Sequence, residues 1–209
     1  MSLQIGGPGL RLYPEYLSCE AQIAVLAAVC SVLAAAPLFT PRMPKSGRPM
    51  SVGMSNCGAL GWFSDERGYR YQSFHPDTGQ PWPAIPDPLL QLWDEVACYP
   101  HAPEACLINY YGPNAKMGLH QDRDEADFSA PVVSLSLGDS CLFRVGGGKR
   151  RDPTSSLRLN SGDVLVLGGD TRLAFHGVDR IYPGTSTLLA DGGRINVTMR
   201  RVTRPQAPV

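Results

Sequence analysis

The sequence has little lysine, little histidine and no net charge. Three Lys stand beside 16 Arg, four His are spread over 209 residues, and 19 basic side chains balance 19 acidic ones. That balance excludes a uniformly basic nucleic-acid coat and gives no support to a membrane-surface role, while a local basic face stays open. The six Cys include no Cys-x-x-Cys pair, and several sit in apolar runs such as Cys106-Leu107-Ile108. They read as buried free thiols of a reducing cytoplasm, ahead of a disulfide set. A long hydrophobic run is also missing. Ile23 to Ala36 is apolar but spans fourteen residues and stops at Pro37, short of the roughly 20 that cross a bilayer. Glu15 and Glu20 precede it, where a secretion signal needs positive charge. The expectation is a cytoplasmic protein with a buried amphipathic helix over about 18–36, capped by Ser18 and ended by Pro37.

What is present points to strands. With 22 Gly and 19 Pro, about a fifth of the chain favours turns. The 43% hydrophobic content excludes global disorder. Residues 1–17 read as an irregular lead-in, and Pro41–Gly53 as a loop carrying Arg42, Lys45 and Arg48. Residues 51–83 are rich in aromatics and turns, and Asp87-Pro88 reads as the N-cap of a second helix followed by Pro at the first helical position. From about 105 the pattern changes to period two or short apolar runs. Strands are expected at 106–111, 116–122, 131–137, 141–145, 155–159, 163–167, 172–176 and 194–201, which suits a β-sandwich or jelly roll.

Two motifs carry chemistry. In Leu119-His120-Gln121-Asp122, a strand would point His120 and Asp122 to one face. His176 offers a third ligand, and two His with one carboxylate form the facial set of non-haem Fe(II) oxygenases. Taken alone, a surface or hydrogen-bonded pair is the plainer reading of His-x-Asp. The second motif is Arg194-Ile195-Asn196-Val197-Thr198-Met199-Arg200, which alternates polar and apolar throughout. Its polar face belongs either to solvent at a sheet edge or to a barrel lumen where two Arg hold a dicarboxylate. Asn109 and Tyr111, two apart, could add neutral donors.

These runs, with Leu107-Ile108-Asn109-Tyr110-Tyr111, Ser134-Leu135-Ser136-Leu137-Gly138, Gly162-Asp163-Val164, Phe175-His176-Gly177 and Asn56-Cys57-Gly58-Ala59-Leu60-Gly61-Trp62, resemble bacterial AlkB over about residues 50–202. AlkB proteins are Fe(II)- and 2-oxoglutarate-dependent dioxygenases that repair alkylated nucleic acid. The resemblance implies an α+β fold with a mainly β core. That core is a double-stranded β-helix (jelly roll) with N-terminal helices and a nucleotide-recognition lid. It implies an N-terminal extension with the lid over 1–104 and a dioxygenase core over 105–203, joined as one unit. It makes His120, Asp122 and His176 the catalytic iron ligands. It gives Arg194 and Arg200 to the carboxylates of 2-oxoglutarate, helped by Asn109, Tyr111 and Asn196.

For the substrate, the resemblance and the need for planar walls point to Trp62 and His120 as a sandwich around a base. Tyr69 and Tyr71 follow as candidates near the sugar–phosphate. Asp124, and with less support Glu125, would read a base made cationic by methylation. Lys116, Arg123 and Arg150 would meet phosphates. The implied reaction is oxidative demethylation of 1-methyladenine- and 3-methylcytosine-type bases in single-stranded DNA, with RNA left open. It uses Fe(II), O2 and 2-oxoglutarate and releases formaldehyde, succinate and CO2, a direct reversal of damage. A dioxygenase acting on a protein or small metabolite is the alternative. A monomer is the default.

Overall fold

The computed structural model describes residues 3–4 and 9–205. Thirteen strands, two helices and one 3-10 turn follow one another. A seven-stranded antiparallel sheet runs in the order β1 (Leu3–Gln4), β2 (Leu10–Tyr13), β11 (Val164–Leu167), β8 (Val132–Gly138), β13 (Arg194–Arg200), β6 (Ala105–Tyr111), β3 (Val52–Cys57). A second sheet runs β10 (Ser155–Leu159), β9 (Ser140–Val145), β12 (His176–Tyr182), β7 (Met117–His120). The strands β4 (Gly61–Asp65) and β5 (Gly68–Gln72) form a separate hairpin. This is the jelly roll expected from the sequence.

The alternation of β13 explains how the layers separate. Every residue of this strand is buried, because β8 and β6 flank it on either side. Ile195, Val197 and Met199 join Val25, Val29, Val32, Leu89, Leu92 and Trp93, which come from α1 (Cys19–Ala35) and α2 (Asp87–Val96). Arg194, Asn196, Thr198 and Arg200 point the other way, into the space between the sheets. The solvent-edge alternative for this strand is therefore excluded.

Several expectations need correcting. The strand expected at 172–176 is absent: Gly169–Thr171 forms a 3-10 turn and the strand starts at His176. Its period is hidden in sequence by a register shift between Val178 and Arg180, which leaves Asp179 and Arg180 both exposed. Of the lead-in, residues 1–2 and 5–8 lie outside the described residues, while Leu10–Tyr13 is a strand paired with β11. The first helix is not buried. Ser18 caps it, but it buries only Val25, Val29 and Val32, and Ile23 is 61% exposed. Its alanines lie outward at little cost. In α2, Pro86 takes the cap position and Asp87 is already helical. Of the cysteines, Cys57, Cys106 and Cys141 are buried and free; Cys19, Cys30 and Cys98 are free but exposed. Among the described residues no helix is long and apolar enough to cross a membrane.

One buried carboxylate organises the entry into β13. Asp139 accepts from the backbone N–H of Thr185 at 2.9 Å, Ser186 at 3.2 Å and Gly193 at 2.9 Å. Asp139→Ala would leave three amides without this acceptor. The expected cost is about 3 kcal/mol, or a fall of roughly 10 °C in Tm by calorimetry.

Candidate active site

The space between the sheets holds a cavity of about 600 Å³. β7 and β12 pair so that His120 and His176 are directly opposed. Gly177 permits this approach, since a Cβ there would lie 2.5 Å from the Met117 carbonyl oxygen. The imidazole centroids are 4.5 Å apart. The His120 Nε2 lies 3.7 Å from Asp122 Oδ1, and the His176 Nε2 lies 3.8 Å from Asp122 Oδ2. In each ring Nδ1 faces a carbonyl, Gly118 at 3.0 Å for His120 and Ala174 at 2.9 Å for His176. An Nδ1–H donated to each carbonyl leaves both Nε2 lone pairs free to ligate. One ligand atom from each of the three residues lies within 4.8 Å of the others.

The donor set fits a divalent iron. The Asp122 Oδ2 is buried without a hydrogen-bond partner, as a ligating oxygen would be before binding. Burial favours the neutral acid, yet Arg200, 2.9 Å from Oδ1, overrides it and holds the Asp122 carboxyl well below the usual carboxylate range. Burial, with His120 beside it, pushes His176 down to about 4, so its imidazole is neutral at neutral pH and able to bind metal.

The second half of the site is cationic. Arg194 is 1% exposed and its guanidinium sits 5.3 Å over the Tyr111 ring. Nη2 donates to Ser136 Oγ at 2.9 Å, but Nε and Nη1 have no partner among the described residues. Asn109 Oδ1 is likewise buried and unpaired. Two free N–H groups of a buried guanidinium fit a carboxylate of 2-oxoglutarate. Asn196 also lines the cavity, but its amide is engaged by Ser134, the Leu135 carbonyl and Thr198. Arg194 and Arg200 stand at opposite ends of one strand, and both open onto the same cavity.

Arg200 belongs to a closed ring of groups that the sequence reading did not assemble. Its Nη1 donates to the Tyr71 hydroxyl at 3.3 Å. Tyr71 donates to Glu125 Oε1 at 2.5 Å, and Arg172 Nη2 donates to Glu125 Oε2 at 3.2 Å. Arg172 Nη1 then donates to the Asp122 carbonyl at 2.6 Å, and its Nε to the Ala130 carbonyl at 2.8 Å. Side chain and main chain of Asp122 are thus held from both sides. Glu125 and Tyr71, placed near the substrate by sequence, turn inward instead. Arg172 had no motif around it; its one signal was an Arg in the otherwise apolar run Leu173-Ala174-Phe175.

At the mouth, Trp62 and Tyr69 stack with centroids 5.5 Å apart. Trp62 Nε1 donates to Asp124 Oδ2 at 2.9 Å. Trp62, Tyr69, His120, Asp124, Lys116, Arg123 and Arg150 all line the cavity. Arg150 donates to the Leu119 carbonyl at 2.8 Å, which places it beside the strand carrying His120.

Comparison with known proteins agrees with this geometry. The 2OG-Fe(II) oxygenase superfamily model matches residues 9–200. An alpha-ketoglutarate-dependent dioxygenase AlkB homolog of Caulobacter vibrioides is 54% identical over 194 residues, 93% of this chain and 88% of that protein. The alpha-ketoglutarate-dependent dioxygenase AlkB of Escherichia coli is 44% identical over 172 residues, 80% of this chain and 79% of that protein. The solved structure of OsALKBH1 matches with a TM-score of 0.80 at 32% identity, covering 95% of this chain and 99% of that one. The chain belongs to the 2OG-Fe(II) oxygenase superfamily and, within it, to the AlkB dioxygenases.

Proposed function

We propose that this dioxygenase removes N-linked methyl groups from 1-methyladenine- and 3-methylcytosine-type bases in single-stranded DNA. Fe(II), when bound, supplies the oxidising chemistry with 2-oxoglutarate and O2, and the methyl carbon leaves as formaldehyde beside succinate and CO2. In this reading His120, Asp122 and His176 hold the metal. Arg194 and Arg200 take the 2-oxoglutarate carboxylates, with Asn109, Tyr111 and Asn196 around them. The observation that carries the reading is the sharing of one cavity: the unpaired Asp122 Oδ2 and the two unpaired Arg194 N–H groups open into the space beneath the Trp62–Tyr69 stack.

The chain's own residues divide the remaining work. Trp62 and His120 present planar walls to an extruded base. Asp124 sets a carboxylate where a methylated ring carries positive charge. Lys116, Arg123 and Arg150 meet the phosphates that flank it. An unpaired base costs less to extrude than a paired one, which favours single strands. The hairpin β4–β5 serves as the recognition lid of a 1–104 extension. The place of β2 and β3 in the core sheet supports reading that extension and the 105–203 core as one unit. The free cysteines support a cytoplasmic location, and a monomer suffices because all of these groups come from one chain.

The lid assignment has a direct test. Trp62→Ala is expected to raise the KM for a methylated oligonucleotide by roughly tenfold or more, since stacking contributes about 1–3 kcal/mol per base. The affinity for 2-oxoglutarate measured without oligonucleotide should stay as in the unaltered protein. A change in that affinity alone would place Trp62 outside the base pocket.

A further inference from the structure

Through Tyr71 the lid hairpin reaches Arg200, which is paired with Asp122. Tyr69 and Tyr71 are two apart on β5, and Tyr71 is the direct cross-strand partner of Trp62. All three side chains therefore share one face of the hairpin. Trp62 and Tyr69 line the cavity mouth, whereas the Tyr71 hydroxyl passes beneath them to Arg200 and Glu125. The contact with Arg200 spans 129 positions of sequence. Burial, together with the Glu125 carboxylate, holds the phenol far above its ordinary range against the pull of Arg200, so it stays a donor to Glu125. Its oxygen is then free to accept from Arg200.

Arg200 needs such a restraint. Its guanidinium is shared among Asp122 at 2.9 Å, Glu125 at 3.6 Å and Tyr71, and its Nε has no hydrogen-bond partner. Two carboxylates pull on different nitrogens of it, Asp122 on Nη2 and Glu125 on Nε. The Tyr71 hydroxyl fixes the orientation from the lid side.

We propose that Tyr71 is a positioning residue that couples the base platform to the co-substrate arginine. A base seated against Trp62 and Tyr69 presses on β5, and β5 carries the phenol that aligns Arg200. Methylated base and 2-oxoglutarate then strengthen each other's binding, and by linkage the effect is reciprocal. This inference rests on the proposed assignment of Arg200 to 2-oxoglutarate.

The test is a binding cycle that needs no turnover. 2-Oxoglutarate is titrated calorimetrically into Mn(II)-loaded protein, with and without a saturating 1-methyladenine oligonucleotide, in the unaltered chain, Tyr71→Phe and Arg200→Ala. The unaltered chain should bind 2-oxoglutarate at least about fivefold more tightly with the oligonucleotide, the lower end of ordinary coupling. Tyr71→Phe should bring that ratio close to one. Loss of packing alone would weaken both titrations together and leave the ratio standing. A ratio of one in the unaltered chain, or an unchanged ratio in Tyr71→Phe, overturns the proposal. Arg200→Ala should lose most of its 2-oxoglutarate affinity; if it binds normally, the assignment of Arg200 fails, and the inference with it.

Discussion

Replacing His120 by alanine is expected to reduce 2-oxoglutarate turnover to the uncatalysed background while leaving the fold intact. His120 is the cleanest of the three proposed ligand positions. Its side chain is 36% exposed, against 6% for Asp122 and 9% for His176. Removing it leaves Asp122 and His176 in place, and two ligands do not hold Fe(II) in the facial geometry the chemistry needs. His176→Ala should be equally inactive. Asp122→Ala should lose activity and stability together, because buried Arg200 would lose the carboxylate 2.9 Å from its Nη2, although the Arg172 bond to the main-chain carbonyl would remain. Taking one partner from a buried ion pair costs about 3–5 kcal/mol. Succinate release measures the first effect and thermal unfolding the second. Normal succinate release from His120→Ala or His176→Ala would remove the ligand assignment.

Arg194→Met is expected to raise the KM for 2-oxoglutarate by about a hundredfold, the loss of about 3 kcal/mol from a charge-assisted pair of hydrogen bonds. The same substitution should not destabilise the protein without ligand. Arg194 is buried with Nε and Nη1 unpaired among the described residues, an arrangement that costs stability. Methionine fills similar space without that cost. Thermal shift should therefore show two opposite changes: a melting temperature for Arg194→Met, without ligand, at or above that of the unaltered chain, and no further rise on adding 2-oxoglutarate. A large drop in stability without ligand would mean that Arg194 is a structural residue and not a waiting anion site.

Much of the site was legible because its signals are local. His120 and Asp122 are two residues apart, and the whole alternation of β13 lies in seven residues, so period two displays it. What period two does not display is a neighbour. The choice between solvent and lumen for Arg194 and Arg200 depended on β8 and β6 flanking β13, a matter of sheet order. The ring around Asp122 was hidden for the same reason. Tyr71, Glu125 and Arg172 come from a hairpin, a loop and the end of a 3-10 turn; beside their own neighbours Tyr71 and Glu125 read as substrate-side residues and Arg172 as an ordinary one. The missed strand over Leu10–Tyr13 depends on its partner β11, about 150 residues away. The displaced strand at His176 shows that a bulge can erase a pattern that the fold nevertheless uses.

In the proposed reading one cavity joins an iron site, a dicarboxylate site and a base pocket. The most direct measurement of that reading is formaldehyde release from a single-stranded DNA oligonucleotide carrying 1-methyladenine, with Fe(II), 2-oxoglutarate and O2 supplied, against the same oligonucleotide in RNA and an unmethylated control. The expected result is formaldehyde and restored adenine in a one-to-one ratio from the methylated DNA, and neither from the control or when 2-oxoglutarate is withheld. Oxidation of 2-oxoglutarate to succinate without formaldehyde from any methylated oligonucleotide would contradict that reading.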